Sequence, residues 1–89
     1  MQSPTIDDLA ELLVPAWADA LEAEVTLESD FIALGGDSLS AIAIADVVAE
    51  RYGSFDEIDT VALQAVFEAP TLRGMAKTLA RFMNEQASE

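Results

Sequence analysis

The sequence predicts an all-α protein: a small antiparallel four-helix bundle, three helices long and one short, with a long loop between the first and second. Three observations carry that expectation. Alanine, the best helix former, supplies 16 of the 89 residues, against four glycines and three prolines. Apolar residues recur every third or fourth position along most of the chain, the period of one helical face. The length admits a single domain, residues 1–89. A chain of this size buries only about 60–65% of its unfolded surface, so its elements have to share one core.

The first helix is expected over about residues 4–22. Ser3 before Pro4 offers a capping hydroxyl with proline at the first helical position, and Thr5 with Asp8 offers a second, capping-box-like start. Ile6, Leu9, Leu13, Ala16, Trp17, Ala20 and Leu21 form its apolar stripe. Pro15 lies inside that stripe, without an N–H and clashing with the preceding turn, so a kink is expected, with Trp17 still facing the core. Over residues 23–36 the helical period fails. Val25 and Leu27 alternate with polar neighbours, and Phe31, Ile32 and Leu34 form an apolar knot that plugs the core, with a single turn near residues 30–33. Gly35 and Gly36 then permit positive φ and close backbone approach.

The second helix begins at Asp37 or Ser38, both good caps, and stops at Gly53. Its Leu39, Ile42, Ile44, Ala45, Val47 and Val48 cover more than one face, too much for a helix resting on one neighbour. An acidic connection leads to the short helix, which Thr60 is expected to cap and Pro70 to end. That helix carries Val61, Leu63, Val66 and Phe67. Thr71 caps the last helix, with Leu72, Met75, Ala76, Leu79, Phe82 and Met83 as its stripe. Leu79 and Phe67 are both expected in the core.

Composition removes whole classes of function. Cysteine and histidine are absent, so there is no disulfide framework, thiolate zinc site, cysteine nucleophile or histidine base. Seventeen acidic residues face four basic ones, a net charge of −13, and the bases are all late: Arg51, Arg73, Lys77 and Arg81. That field repels phosphate backbones and anionic lipid and attracts basic protein surfaces, so nucleic acid is excluded as a ligand. Residues 1–8 lack the basic and apolar regions of an export signal. The longest apolar run, residues 39–49, is interrupted by Ser40 and Asp46 and falls far short of the roughly 20 residues of a membrane span. A soluble cytoplasmic protein without a membrane partner is expected.

Enzyme templates fail as well. The stretch Gly36-Asp37-Ser38-Leu39-Ser40 lacks the second glycine of a nucleophile elbow, and no Gly-Lys-Ser/Thr follows Gly35-Gly36. Asp56, Glu57 and Asp59 lack the order of a calcium loop and read as a solvated linker. No catalytic residue and no metal site is assigned, and the chain is expected to catalyse nothing alone. What stands out is Ser38, presented by two glycines at a helix N-terminus, where unpaired N–H groups and the helix dipole favour a phosphate ester.

The run Phe31-Ile32-Ala33-Leu34-Gly35-Gly36-Asp37-Ser38-Leu39 resembles the phosphopantetheine attachment motif of carrier proteins. Its Leu-Gly-Gly-Asp-Ser-Leu core is most similar to the peptidyl carrier, or thiolation, domains of nonribosomal peptide synthetases. Val66-Phe67-Glu68-Ala69-Pro70-Thr71-Leu72 resembles the Phe-x-x-Pro-Thr signature of that family, and Trp17 and Leu21 sit where its first helix carries Trp and Leu. The likeness covers roughly residues 5–83, with short polar termini beyond.

The resemblance implies a phosphoprotein of nonribosomal peptide synthesis, secondary metabolism of the antibiotic-producing kind. A phosphopantetheinyl transferase, supplying its own base and metal, moves the arm of coenzyme A onto Ser38. The arm's thiol then carries aminoacyl or peptidyl groups as thioesters, with no cysteine in the chain to compete. By the same analogy Asp37 helps engage the transferase, and Leu39 and Ile42 dock partner enzymes: an adenylation or other acyl-loading enzyme, then condensation, tailoring or thioesterase enzymes. Ile44, Ala45 and Val48 face the core. A monomer is expected, and the short ends suit a free-standing carrier, although an excised domain would look the same. Departures from the family pattern are Pro15, Glu22 where glycine is common, Asp46 where an apolar contact is common, and a long connection before Thr60. Two other readings stay open: an acyl carrier for polyketide or fatty-acid assembly, and a non-carrier acidic interaction module. Arg73, Lys77 and Arg81, four apart, form a stripe that is either simply solvated or offsets acids on a neighbouring helix or at residues 56–59.

Overall fold

Four helices make up the protein: α1 (Ile6–Leu21), α2 (Ser38–Tyr52), α3 (Ile58–Glu68) and α4 (Leu72–Ala87). The structure, a computed structural model, describes residues 3–69 and 71–87. Pro70, expected to end the third helix, and Ser88 lie outside the described residues. The only β feature among them is an isolated antiparallel bridge between Asp30 and Thr71.

Side chains close the first turn of three helices. Of the two possible starts for α1, the capping box is used: the Asp8 N–H donates to Thr5 Oγ1 at 3.1 Å and the Thr5 N–H to Asp8 Oδ2 at 3.0 Å. Asp37 caps α2, and Thr71 Oγ1 accepts the Gly74 N–H at 3.1 Å in the first turn of α4. The third helix departs from expectation. It starts at Ile58, two residues before Thr60, and its cap is Glu57, at φ +59° and without a side-chain cap bond. The apolar anchors Phe55 and Ile58 are both buried, so packing fixes this start where no cap does. Pro15 leaves α1 unbroken from Ile6 to Leu21.

Contacts at the helix ends give the chain direction. The Ser40 hydroxyl donates to the Ala20 carbonyl, joining the end of α1 to the start of α2. The Ser3 hydroxyl donates to Asn84 Oδ1, and the Gln86 side-chain amide to the Asp56 carbonyl. These two bonds bring the start of α1, the end of α4 and the α2–α3 connection together at the opposite pole. At the first pole the Leu72 and Arg73 N–H groups donate to the Ser29 and Leu27 carbonyls. The bundle is therefore antiparallel, with α1 packed on α2 and α4, and α3 packed on α2 and α4.

The core holds Leu9, Leu13 and Trp17 from α1, Ala41, Ile44, Ala45 and Val48 from α2, and Leu72, Met75, Leu79 and Met83 from α4. Three apolar residues expected to face inward are not in it, the first being Ile6 at the start of α1, 39% exposed. Phe67 is 50% exposed, because α3 turns Ile58, Ala62, Ala65 and Val66 inward and residue 67 falls about 100° round from Val66. Ile32 is 63% exposed, so Phe31 alone of the expected knot is fully buried, with Leu34 half-buried. Of the α4 stripe, Arg73 meets neither expected partner and pairs instead with Glu28 of the α1–α2 loop at 2.7 Å, both exposed. Among the described residues no helix is long and apolar enough to cross a membrane.

Candidate functional site

The end of the α1–α2 loop is a tight turn. Asp30 Oδ1 accepts the Ala33 N–H at 2.9 Å, the Gly35 N–H donates to the Ile32 carbonyl at 3.0 Å and the Gly36 N–H to the Phe31 carbonyl at 2.9 Å. The turn drives Phe31 into the core, where its ring stands edge-on to Trp17, centroids 5.7 Å apart. The two glycines serve different ends. Gly35 has φ +84°, a left-handed conformation that side chains disfavour, in open space. Gly36 has the Phe31 ring so close that a Cβ would overlap it. One glycine reverses the chain, and the other lets it lie flat on an aromatic ring.

Two residues later the chain enters α2. Asp37, not Ser38, is the cap: its backbone is extended, at φ −135°, and its carboxylate accepts the Ser40 N–H at 2.9 Å. That bond, helped by the Ser40 side chain and the Leu39 N–H, holds the Asp37 carboxyl below its usual value. Ser38 is the first residue of the helix. It is exposed, and its hydroxyl makes no hydrogen bond among the described residues.

The other described serines contrast with it. Ser3 donates to Asn84, Ser29 Oγ accepts the Thr26 N–H at 2.8 Å and Ser40 is half-buried against Ala20. Ser54 is exposed but lies in the acidic α2–α3 connection. Leu39 and Ile42, on the first turns of α2, are 77% and 47% exposed. The structure therefore brings Asp37, Ser38, Leu39 and Ile42 to one surface. It adds Ile32, expected inward as part of the apolar knot, and Phe67, expected on the core side of the short helix. The arrangement suits a covalent phosphodiester, which asks for an accessible hydroxyl rather than a cage: glycines precede it, a helix N-terminus lies beneath it and no side chain occupies it.

Comparison with known proteins agrees with this geometry. The family model described as the phosphopantetheine attachment site matches residues 11–79. Malformin synthetase mlfA of Aspergillus neoniger is 36% identical over 75 residues, 81% of this chain and 2% of its own. D-lysergyl-peptide-synthetase subunit 1 of Claviceps purpurea is 38% identical over 69 residues, 74% of this chain and 2% of its own. The nonribosomal peptide synthetase kk1B of Curvularia clavata is 30% identical over 76 residues, 85% of this chain. The chain thus spans 2% or less of the length of these relatives. No solved structure matches it significantly. Because the family match runs from the second turn of α1 to Leu79 of α4, well over half of the chain, the protein belongs to the phosphopantetheine-attachment family, whose members carry that cofactor covalently.

Proposed function

We propose that the chain is a peptidyl carrier: it holds aminoacyl or peptidyl groups as thioesters on a phosphopantetheine arm borne by Ser38 and presents them to separate enzymes. The observation that carries this reading is the exposed, unpartnered Ser38 hydroxyl at the first turn of α2, within a chain of this family. Two of the relatives are peptide synthetases by name, which favours peptidyl over polyketide or fatty-acyl cargo. Attachment joins Ser38 Oγ to the pantetheine-side phosphorus of coenzyme A. The bond from that phosphorus to the nucleotide half breaks, and the serine proton passes to a base on the transferase, since this chain has no histidine. Asp37 fixes the first turn so that Ser38 projects. Asp37 also engages the transferase, and Leu39 and Ile42 offer apolar contacts to an acyl-loading enzyme and to condensation or thioesterase enzymes. The chain itself catalyses nothing and works in the cytoplasm.

Intact mass after incubation with a broad-specificity transferase and coenzyme A tests the reading. Wild type should gain one phosphopantetheine and Ser38→Ala none. A modified Ser38→Ala protein, or an unmodified wild type with several transferases, overturns it. Ile42→Arg should accept the arm and stay folded yet lose transfer to partner enzymes.

A further inference from the structure

Four of the five large apolar side chains exposed among the described residues, Ile32, Leu39, Ile42 and Phe67, lie at the Ser38 pole. Two of them, Ile32 and Phe67, wall a groove of about 510 Å³. The buried Phe31 and Val66 form its floor, and Asp30 and Glu68 also line it. Its size falls within the roughly 300–1,000 Å³ of small-molecule sites. The groove is close to the serine. Gly36 rests on the Phe31 ring, Ser38 is two residues further along, and the Phe31 and Phe67 rings are 5.8 Å apart. At about 3.8 Å per residue step, that path is within roughly 18 Å. A phosphopantetheine arm has the span of four to five extended residues, roughly 16 Å, and its cargo projects beyond.

We propose that this groove receives the loaded end of the arm and fits one class of cargo: an aminoacyl group with an apolar side chain and a free α-ammonium. The inference rests on Ser38 as the attachment point. The apolar walls accept the side chain. The ammonium, which an aminoacyl thioester keeps and an acetyl or fatty-acyl thioester lacks, faces two carboxylates. Asp30 has one oxygen engaged by the Ala33 N–H, and the Glu68 carboxylate makes no hydrogen bond among the described residues. A purely aliphatic cargo would strip water from both carboxylates and return no hydrogen bond, which disfavours it. Tethering raises the local cargo concentration into the millimolar range, so a millimolar affinity is enough to populate the groove.

The test uses arms that end in a hydrolysis-resistant amide in place of the thioester. They carry phenylalanyl, acetyl or nothing, and each is attached to the ¹⁵N-labelled protein with attachment read by mass. Phenylalanyl should shift the backbone amide signals of Ile32, Ala33, Phe67 and Glu68 relative to the unloaded arm, and acetyl should not. Glu68→Gln should reduce those shifts at least twofold, and Ile32→Ser, at an exposed position, should remove most of them while leaving the rest of the spectrum unchanged. Shifts confined to residues 37–42, equal shifts with acetyl, or shifts that grow with protein concentration as a second copy enters the groove would each overturn the proposal. A missing mass gain would bring down the attachment reading and this one together. A mass gain without groove shifts brings down this one alone.

Discussion

Asp37 and Ser38 are adjacent and do separate work: the first holds the helix end and the second is left free by it. Both residue types cap helices well, so composition leaves the choice open. The extended backbone at Asp37 and the reach of its carboxylate to the Ser40 N–H decide it. Ser38→Ala therefore removes no cap and should change stability by no more than about 0.5 kcal/mol, as other exposed substitutions do. Asp37 should show itself through pH. Its folded value lies below 3.8 because the Ser40 N–H stabilises the ionised form. Its contribution is thus complete above the unfolded value and is lost as pH falls through the folded one. Asp37→Asn keeps a cap but not the titration. Denaturant unfolding of both proteins from pH 7 to pH 2.5 should show a wild-type advantage that shrinks only below about pH 3.8. An advantage that stays constant across that range would mean the carboxylate is not selectively bonded in the fold.

At the scale of elements, the joint between the α1–α2 loop and the bundle is Phe31, gripped by Trp17 on one side and Gly36 on the other. Gly36→Ala has to displace that ring and should cost about 1–3 kcal/mol, as overpacking does. In the background of Phe31→Leu, which removes the ring, the same change should cost distinctly less. Equal costs in both backgrounds, measured by thermal unfolding, would place the strain elsewhere. The helices themselves were legible, because α1, α2 and α4 announce themselves by period and by Thr5, Asp37 and Thr71. The short helix was not. Its core face is built largely of Ala62 and Ala65, and a reading weighted to bulky residues turns Phe67 inward in their place. The same bias sent Ile32 inward with Phe31. Two neighbours in a tight turn cannot share one direction, and nothing in their chemistry says which is buried. The Ser38 surface was legible through Gly35 and Gly36. The groove beside it was not, because its walls come from segments more than thirty residues apart.

For the whole molecule, charge is the dominant unbalanced force. Eleven of the 17 acidic residues fall in the first fifty positions, which hold no base. The Arg73–Glu28 ion pair is exposed on both sides and worth at most about 1 kcal/mol. Self-repulsion at a net charge of −13 should therefore weaken the fold at low salt. Raising sodium chloride from 0.01 to 0.1 M shortens the Debye length from about 30 to about 10 Å, and the melting temperature should rise over that interval. A flat or falling trend would show that the acids are too well spaced to repel.

The bond between Ser3 and Asn84 places both ends of the described chain side by side, at the pole away from Ser38. Chain entering the bundle at Ser3 and chain leaving it after Asn84 therefore meet it at that one spot. The carrier then swings on a single pivot, and α1, 16 residues long, sets a radius of about 24 Å between pivot and serine. With Ser38 as the proposed attachment point, cargo sweeps an arc while the pivot stays in place. Stations visited in turn need only lie along that arc, so a short flexible attachment serves several of them without the bundle changing shape.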